Sequence, residues 1–142
     1  METQDLYRYA EKNQIEILDY SLPYCGSMSV MDASGTCFIG MDEAVMDGDA
    51  VEKVHLAHEL GHCMTGSFYS RRTAVDSRQR HENRADKWAV RKLITADALD
   101  SAVADGCTEI WELAERFGVT EEFARKAVCY YVHGNLATEL YF

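Results

Sequence analysis

The chain has 142 residues, 47% of them hydrophobic, which is enough for one packed core and too few for two domains of ordinary size. Its formal charge of −10 argues against a nucleic-acid binder, because such affinity rests on Lys and Arg set against phosphates. Five cysteines, odd in number, widely spaced and without a CxxC pair, suggest neither a disulfide framework nor a thiolate zinc site.

The opening "METQDLYRYAEKNQ" has no apolar run of signal-peptide length, and nothing approaches the roughly 18 apolar residues of a membrane helix, so the expected location is the cytoplasm. In that reducing setting Cys25, Cys37, Cys63, Cys107 and Cys129 read as small core residues. Residues 3–13 place Leu6, Tyr9 and Ala10 at helical spacing, and "IEILDY" then alternates apolar with polar residues in the manner of a half-buried strand. Pro23 lies in the loop "SLPYCG", after which "SMSVMDASGTCFIGMD" reads as a hairpin around the turn "DASG". From Asp49 to about Thr65, Val51, Val54, Ala57 and Leu60 recur at every third residue, which predicts an amphipathic helix capped by Asp49 and stopped at Gly66. The segment "GSFYSRRTAVDS" reads as a loop, and "RQRHENRADKWAVRKLI" as a second helix that buries Ala85, Trp88, Ala89 and Leu93. Three more helices are predicted around "ADALDSAVA", "TEIWELAERF" and "TEEFARKAVCYYVHG", with Trp88 and Trp111 as core anchors. The expected fold class is α+β, a mainly helical single domain over residues 1–142 with a small antiparallel sheet. It divides into a core that holds the sheet and the two long helices (1–94) and a C-terminal helical subdomain (95–142).

Within the first long helix, "VHLAHELGHCMTG" sets His58 and His62 four residues apart on one face, where both imidazoles can converge on a single ion at roughly 2.0–2.1 Å. Glu59, rotated about 100° from His58, stays out of the ligand set yet can reach a water activated by the metal, as a general base must. A catalytic site usually has three protein ligands and one open position, so a third ligand has to come from elsewhere. His81, Glu82 and Asp86 on the next helix are the candidates. Glu82, 20 positions after His62, is favoured, which leaves Asp86, four further on, to accept the free ring N–H of His58 and fix its tautomer. His81 points about 100° away from the face shared with Asp86. His55, one turn before His58, falls on the wrong side of the ion, and His133 reads as a surface residue near a helix C-terminus. Tyr69, in the loop after the site helix, is either a donor to a developing oxyanion or a packing residue.

These residues resemble the gluzincin class of zinc peptidases. The runs "AHELGHCMTG", "ENRADKWAVRKLI" and "ELAERFGVTEEFARKAV" resemble in particular the ImmA/IrrE-type metallopeptidases, small bacterial and phage-encoded proteins. The likeness extends over most of the chain from Ile39 onward and is weaker over the first 38 residues. It implies a zincin-like active-site helix, Zn2+ held by His58, His62 and Glu82, and Glu59 as catalytic base. The function it implies is a regulatory, zinc-dependent endopeptidase that cleaves a transcriptional repressor or another intracellular protein. Manganese and iron suit the same nitrogen and oxygen donors. In zinc peptidases generally the substrate lies extended along an edge strand, and "TCFIGM" is the expected edge.

Competing readings attach to other residues. Residues 71–94 hold 8 basic and 3 acidic side chains in an otherwise acidic chain. Arg71, Arg72, Arg78, Arg80, Arg84, Lys87, Arg91 and Lys92 would either receive an acidic substrate segment or form a solvated helix face. Ala114, Gly118, Val119 and Thr120 mimic the bend of a helix-turn-helix, but the second helix opens with Glu121 and Glu122, followed only by Arg125 and Lys126, so direct nucleic-acid binding is not expected. The alternative from a different class is a non-catalytic protein-interaction module in which zinc is structural.

Overall fold

A computed structural model describes residues 1–70 and 72–141. Helix α1 (Thr3–Lys12) starts with a reciprocal pair in which the Glu2 carboxylate accepts a backbone N–H and the Asp5 carboxylate accepts that of Glu2; it buries Leu6 and Ala10. Strand β1 (Glu16–Asp19) follows. The hairpin β2 (Ser27–Met31) and β3 (Cys37–Met41) forms around "DASG", because the Asp32 carboxylate accepts from the backbone N–H groups of Ser34 and Thr36 and closes the turn.

The sheet order is β1-β3-β2, with β1 parallel to β3 and β2 antiparallel to it. The sheet is therefore mixed, which corrects the antiparallel expectation: the chain crosses from β1 to the outer position, forms β2, and returns between the two. A second correction follows. β3 has partners on both sides, so "TCFIGM" is not an edge; the edge beside the site helix is β2.

Helix α2 (Ala50–Thr65) is capped by Asp49, whose carboxylate accepts from Val51 and Glu52, and it stops at Gly66 in the left-handed region, φ +67°. Its buried apolar residues are Leu56, Ala57 and Leu60, whereas Val51 is 37% exposed. A spacing of three lags the 3.6-residue turn by about 60° per step, so the stripe drifts and Val51 ends up opposite Leu60. Helix α3 (Val75–Leu93) starts three residues ahead of the expected segment and buries Ala85, Ala89 and Leu93. Trp88 is half-buried against Tyr9, and the Lys92 ammonium sits 4.1 Å over the Tyr9 ring.

Helices α4 (Ala96–Ala104), α5 (Ile110–Phe117) and α6 (Glu121–His133) follow, then a 3-10 turn over Ala137–Tyr141. Trp111 is no core anchor: it is 57% exposed, because α5 buries Leu113 and Ala114, and a residue two positions before Leu113 points about 200° away. α6 turns Phe123, Ala124 and Ala127 inward. Leu6, Ile39, Met41, Leu56, Leu60 and Val90 join sheet and helices in one core.

The cysteines depart from expectation. Cys37 on β3 and Cys63 on α2 form a disulfide, with Cα atoms 6.0 Å apart across a sequence separation of 26. Cys25 is exposed, and Cys107 and Cys129 are half-buried. Among the described residues no helix is long and apolar enough to cross a membrane.

Candidate metal centre

The site depends on how closely α2 and α3 cross. At Gly61 a Cβ would stand 2.5 Å from the carbonyl oxygen of Ala85 and 2.9 Å from its Cα, so the glycine inside "HELGH" lets the two backbones touch. One turn before that contact on α3, Glu82 lies over both imidazoles. Its Oε2 is 2.8 Å from Nε2 of His58 and its Oε1 is 3.1 Å from Nε2 of His62, while the two Nε2 atoms are 3.2 Å apart.

The outer ring nitrogens fix the tautomers. Nδ1 of His58 lies 2.7 Å from Oδ1 of Asp86, and Nδ1 of His62 lies 2.5 Å from the backbone carbonyl of Ser67. A carboxylate and a carbonyl can only accept, so each Nδ1 carries the hydrogen and each Nε2 lone pair faces inward. Two imidazole lone pairs and a carboxylate thus converge within 4.8 Å with no donor among them. Such an arrangement is repulsive unless a cation sits between the three, and this donor set suits a divalent metal of intermediate softness.

The acceptors around His58 also favour its protonated ring. Burial disfavours charge on His58, yet hydrogen bonds with Asp86 and Glu82 push its pKa up to about 10. Burial likewise opposes ionisation of Glu82, and the hydrogen bonds of His58 and His62 hold its carboxyl far below the usual range all the same. Asp86 is also held low against burial, by His58 and by Lys126, whose Nζ is 3.0 Å from Oδ2.

His58, His62, Glu82 and Asp86 are therefore brought together, and Glu59 stands beside them, 6% exposed, with Oε2 accepting the Ser27 hydroxyl at 2.7 Å. His81 is not among them. Its ring stacks on Tyr69, centroids 6.2 Å apart. His55 is also outside the cluster, with Nδ1 2.7 Å from the Ser27 hydroxyl. Burial and the nearby Glu82 carboxylate raise the phenol of Tyr69 to about 12, so it remains a donor at neutral pH. His133 is exposed in the last turn of α6.

A cleft of about 690 Å³ runs over the site from β2 to α6, with Ser27, Ser29 and Val30 on one side and Phe123 and Lys126 on the other. Lys126 is the one Lys or Arg lining it among the described residues. Among the described residues, none of the Lys and Arg side chains of the basic segment lines it. Lys87 pairs with Glu139 at 2.8 Å, Arg91 donates to the Tyr130 hydroxyl, Lys92 covers Tyr9, and Arg71 lies outside the described residues. Ser27, Ser67 and Lys126 are site residues that carry no sequence signal, since each meets its partner only through the fold.

Residues 48–128, more than half of the chain, match the Peptidase_M78 family, described as the IrrE N-terminal-like domain. The chain belongs to that family. No curated protein and no solved structure matches it significantly. The span matching the IrrE N-terminal-like domain includes His58, Glu59, His62, Glu82, Asp86 and Lys126, whereas Ser27 and the whole sheet precede it. The family is one of peptidases, and the three converging donors suit the metal a metallopeptidase requires.

Proposed function

We propose that the protein is a zinc-dependent endopeptidase in which His58, His62 and Glu82 hold the metal, Glu59 is the catalytic base, and the substrate is a repressor or another intracellular protein. The observation that carries this reading is the convergence of three acceptor atoms, with Glu59 beside them, at the floor of an open cleft. Zinc bound there would polarise a peptide carbonyl and bring the pKa of a coordinated water toward about 7.

The remaining work falls to the chain. Glu59 takes the proton of the attacking water and returns it to the leaving amine. Asp86 and the Ser67 carbonyl hold the two rings in the tautomer that ligation needs. Tyr69, protonated at neutral pH and lining the cleft, turns its single O–H to the developing oxyanion. Among the described residues strand β2 pairs only with β3, and it lines the cleft, so an extended peptide can add to its other edge.

The test compares zinc-loaded wild type with Glu59→Gln on a panel of candidate repressors, with fragments read by mass spectrometry. Both hold zinc and only wild type cleaves. Zinc in both with no cleavage by either supports a non-catalytic interaction module instead.

A further inference from the structure

Ser27, the first residue of β2, is 6% exposed and joins the sheet to the site helix through two polar contacts. Its hydroxyl donates to Oε2 of Glu59 at 2.7 Å and lies 2.7 Å from Nδ1 of His55. A hydroxyl has one proton, and here the carboxylate takes it, so the ring N–H of His55 must donate to the Ser27 oxygen. Burial holds His55 below the ordinary histidine pKa despite the nearby Glu59 charge, which leaves a neutral ring with its single N–H committed to Ser27. The neighbouring glycine makes room for this ring. Gly26 has φ +79°, and a Cβ there would stand 3.0 Å from Cε1 and 3.4 Å from Nε2 of His55.

We propose that Ser27, seated by His55, is a positioning residue for Glu59: it occupies one carboxylate oxygen and so presents the other to the attacking water. The terminal torsion of a glutamate is broad and close to two-fold, so an untethered carboxylate would sample many orientations. The donor chain from His55 through Ser27 to Glu59 removes that freedom. Because Ser27 also begins the strand along which the peptide is proposed to lie, one residue aligns the base with the substrate backbone. This inference rests on the reading of Glu59 as the base.

The experiment measures acetohydroxamate affinity by calorimetry for the zinc-loaded protein, since a hydroxamate on the metal hydrogen-bonds the base carboxylate and reports its orientation without turnover. Ser27→Ala is expected to bind about tenfold more weakly, the scale of one lost hydrogen bond to a charged group, with unchanged zinc content. Ser27→Thr, which keeps the hydroxyl, and His55→Gln, which keeps an N–H for it, stay close to wild type. Glu59→Gln sets the weak limit. On any peptide that wild type cleaves, Ser27→Ala lowers kcat about tenfold and leaves KM unchanged. Equal affinity of Ser27→Ala and wild type beside a weak Glu59→Gln overturns the proposal, as does a Ser27→Thr as weak as Ser27→Ala. A wild type that takes up no zinc refutes the peptidase reading itself, and the role of Ser27 with it.

Discussion

Replacing Gly61 by alanine sets two effects against each other. Alanine in a helix interior is favoured over glycine by about 1 kcal/mol, so propensity alone predicts a more stable protein. The added Cβ, however, meets backbone rather than a flexible side chain. It stands 2.5 Å from the Ala85 oxygen, and ordinary contact begins at 3.4 Å, so α2 and α3 must separate by close to 0.9 Å. Overpacking of this kind costs typically about 1–3 kcal/mol, which leaves a net loss of about 1 kcal/mol. The shift also reaches the site, because Glu82 lies one turn from Ala85 and holds the rings at 2.8 and 3.1 Å. Zinc affinity should therefore fall about tenfold or more. Urea unfolding of the metal-free protein and competition with a zinc chelator measure the two quantities. Ala85→Gly is not expected to rescue either, since the clash is with the backbone of Ala85. A Gly61→Ala protein that is more stable than wild type and binds zinc equally well would refute the reasoning.

Asp86→Asn should weaken zinc binding about 10- to 100-fold in the same competition assay. It should also flatten the acid limb of stability. The folded pKa of Asp86 lies below its ordinary 3.8, so its stabilisation is complete above that value and is lost as pH falls through the depressed one. Denaturation of the metal-free proteins between roughly pH 5 and pH 3 should thus show wild type losing more than Asp86→Asn. Reducing the Cys37–Cys63 bridge, which spans 26 positions, should lower the unfolding free energy by about 3 kcal/mol while zinc stoichiometry holds. Leu60→Ala, at a fully buried position, should cost about 2–5 kcal/mol by the same unfolding assay.

The parts of this molecule that were legible in the sequence are those set by local spacing. His58, Glu59 and His62 take their places from helical geometry, as do Glu82 and Asp86 one turn apart on α3, and the caps Asp49 and Gly66 are chemical signals read directly. Residues whose partners are distant left no such mark. Ser27 meets Glu59 across 32 positions and Lys126 meets Asp86 across 40, with no periodicity to link them. The same reason hides the Cys37–Cys63 bond, which only the packing of β3 on α2 creates. Strand direction was hidden as well, because a four-residue strand such as β1 alternates identically whether it pairs parallel or antiparallel. Trp111 shows a different limit: hydrophobicity marks a residue for burial, but on the eight-residue α5 the face of Leu113 and Ala114 takes the core and Trp111 is left outside.

Zinc K-edge X-ray absorption of the zinc-loaded protein, run beside Glu82→Ala, tests most directly whether two imidazoles and a carboxylate hold the metal. The expected spectrum has nitrogen and oxygen neighbours at roughly 2.0–2.1 Å, an imidazole signature and no sulfur near 2.3 Å, with zinc uptake sharply weakened in the variant. A sulfur shell, or an unchanged spectrum and affinity in Glu82→Ala, would contradict it.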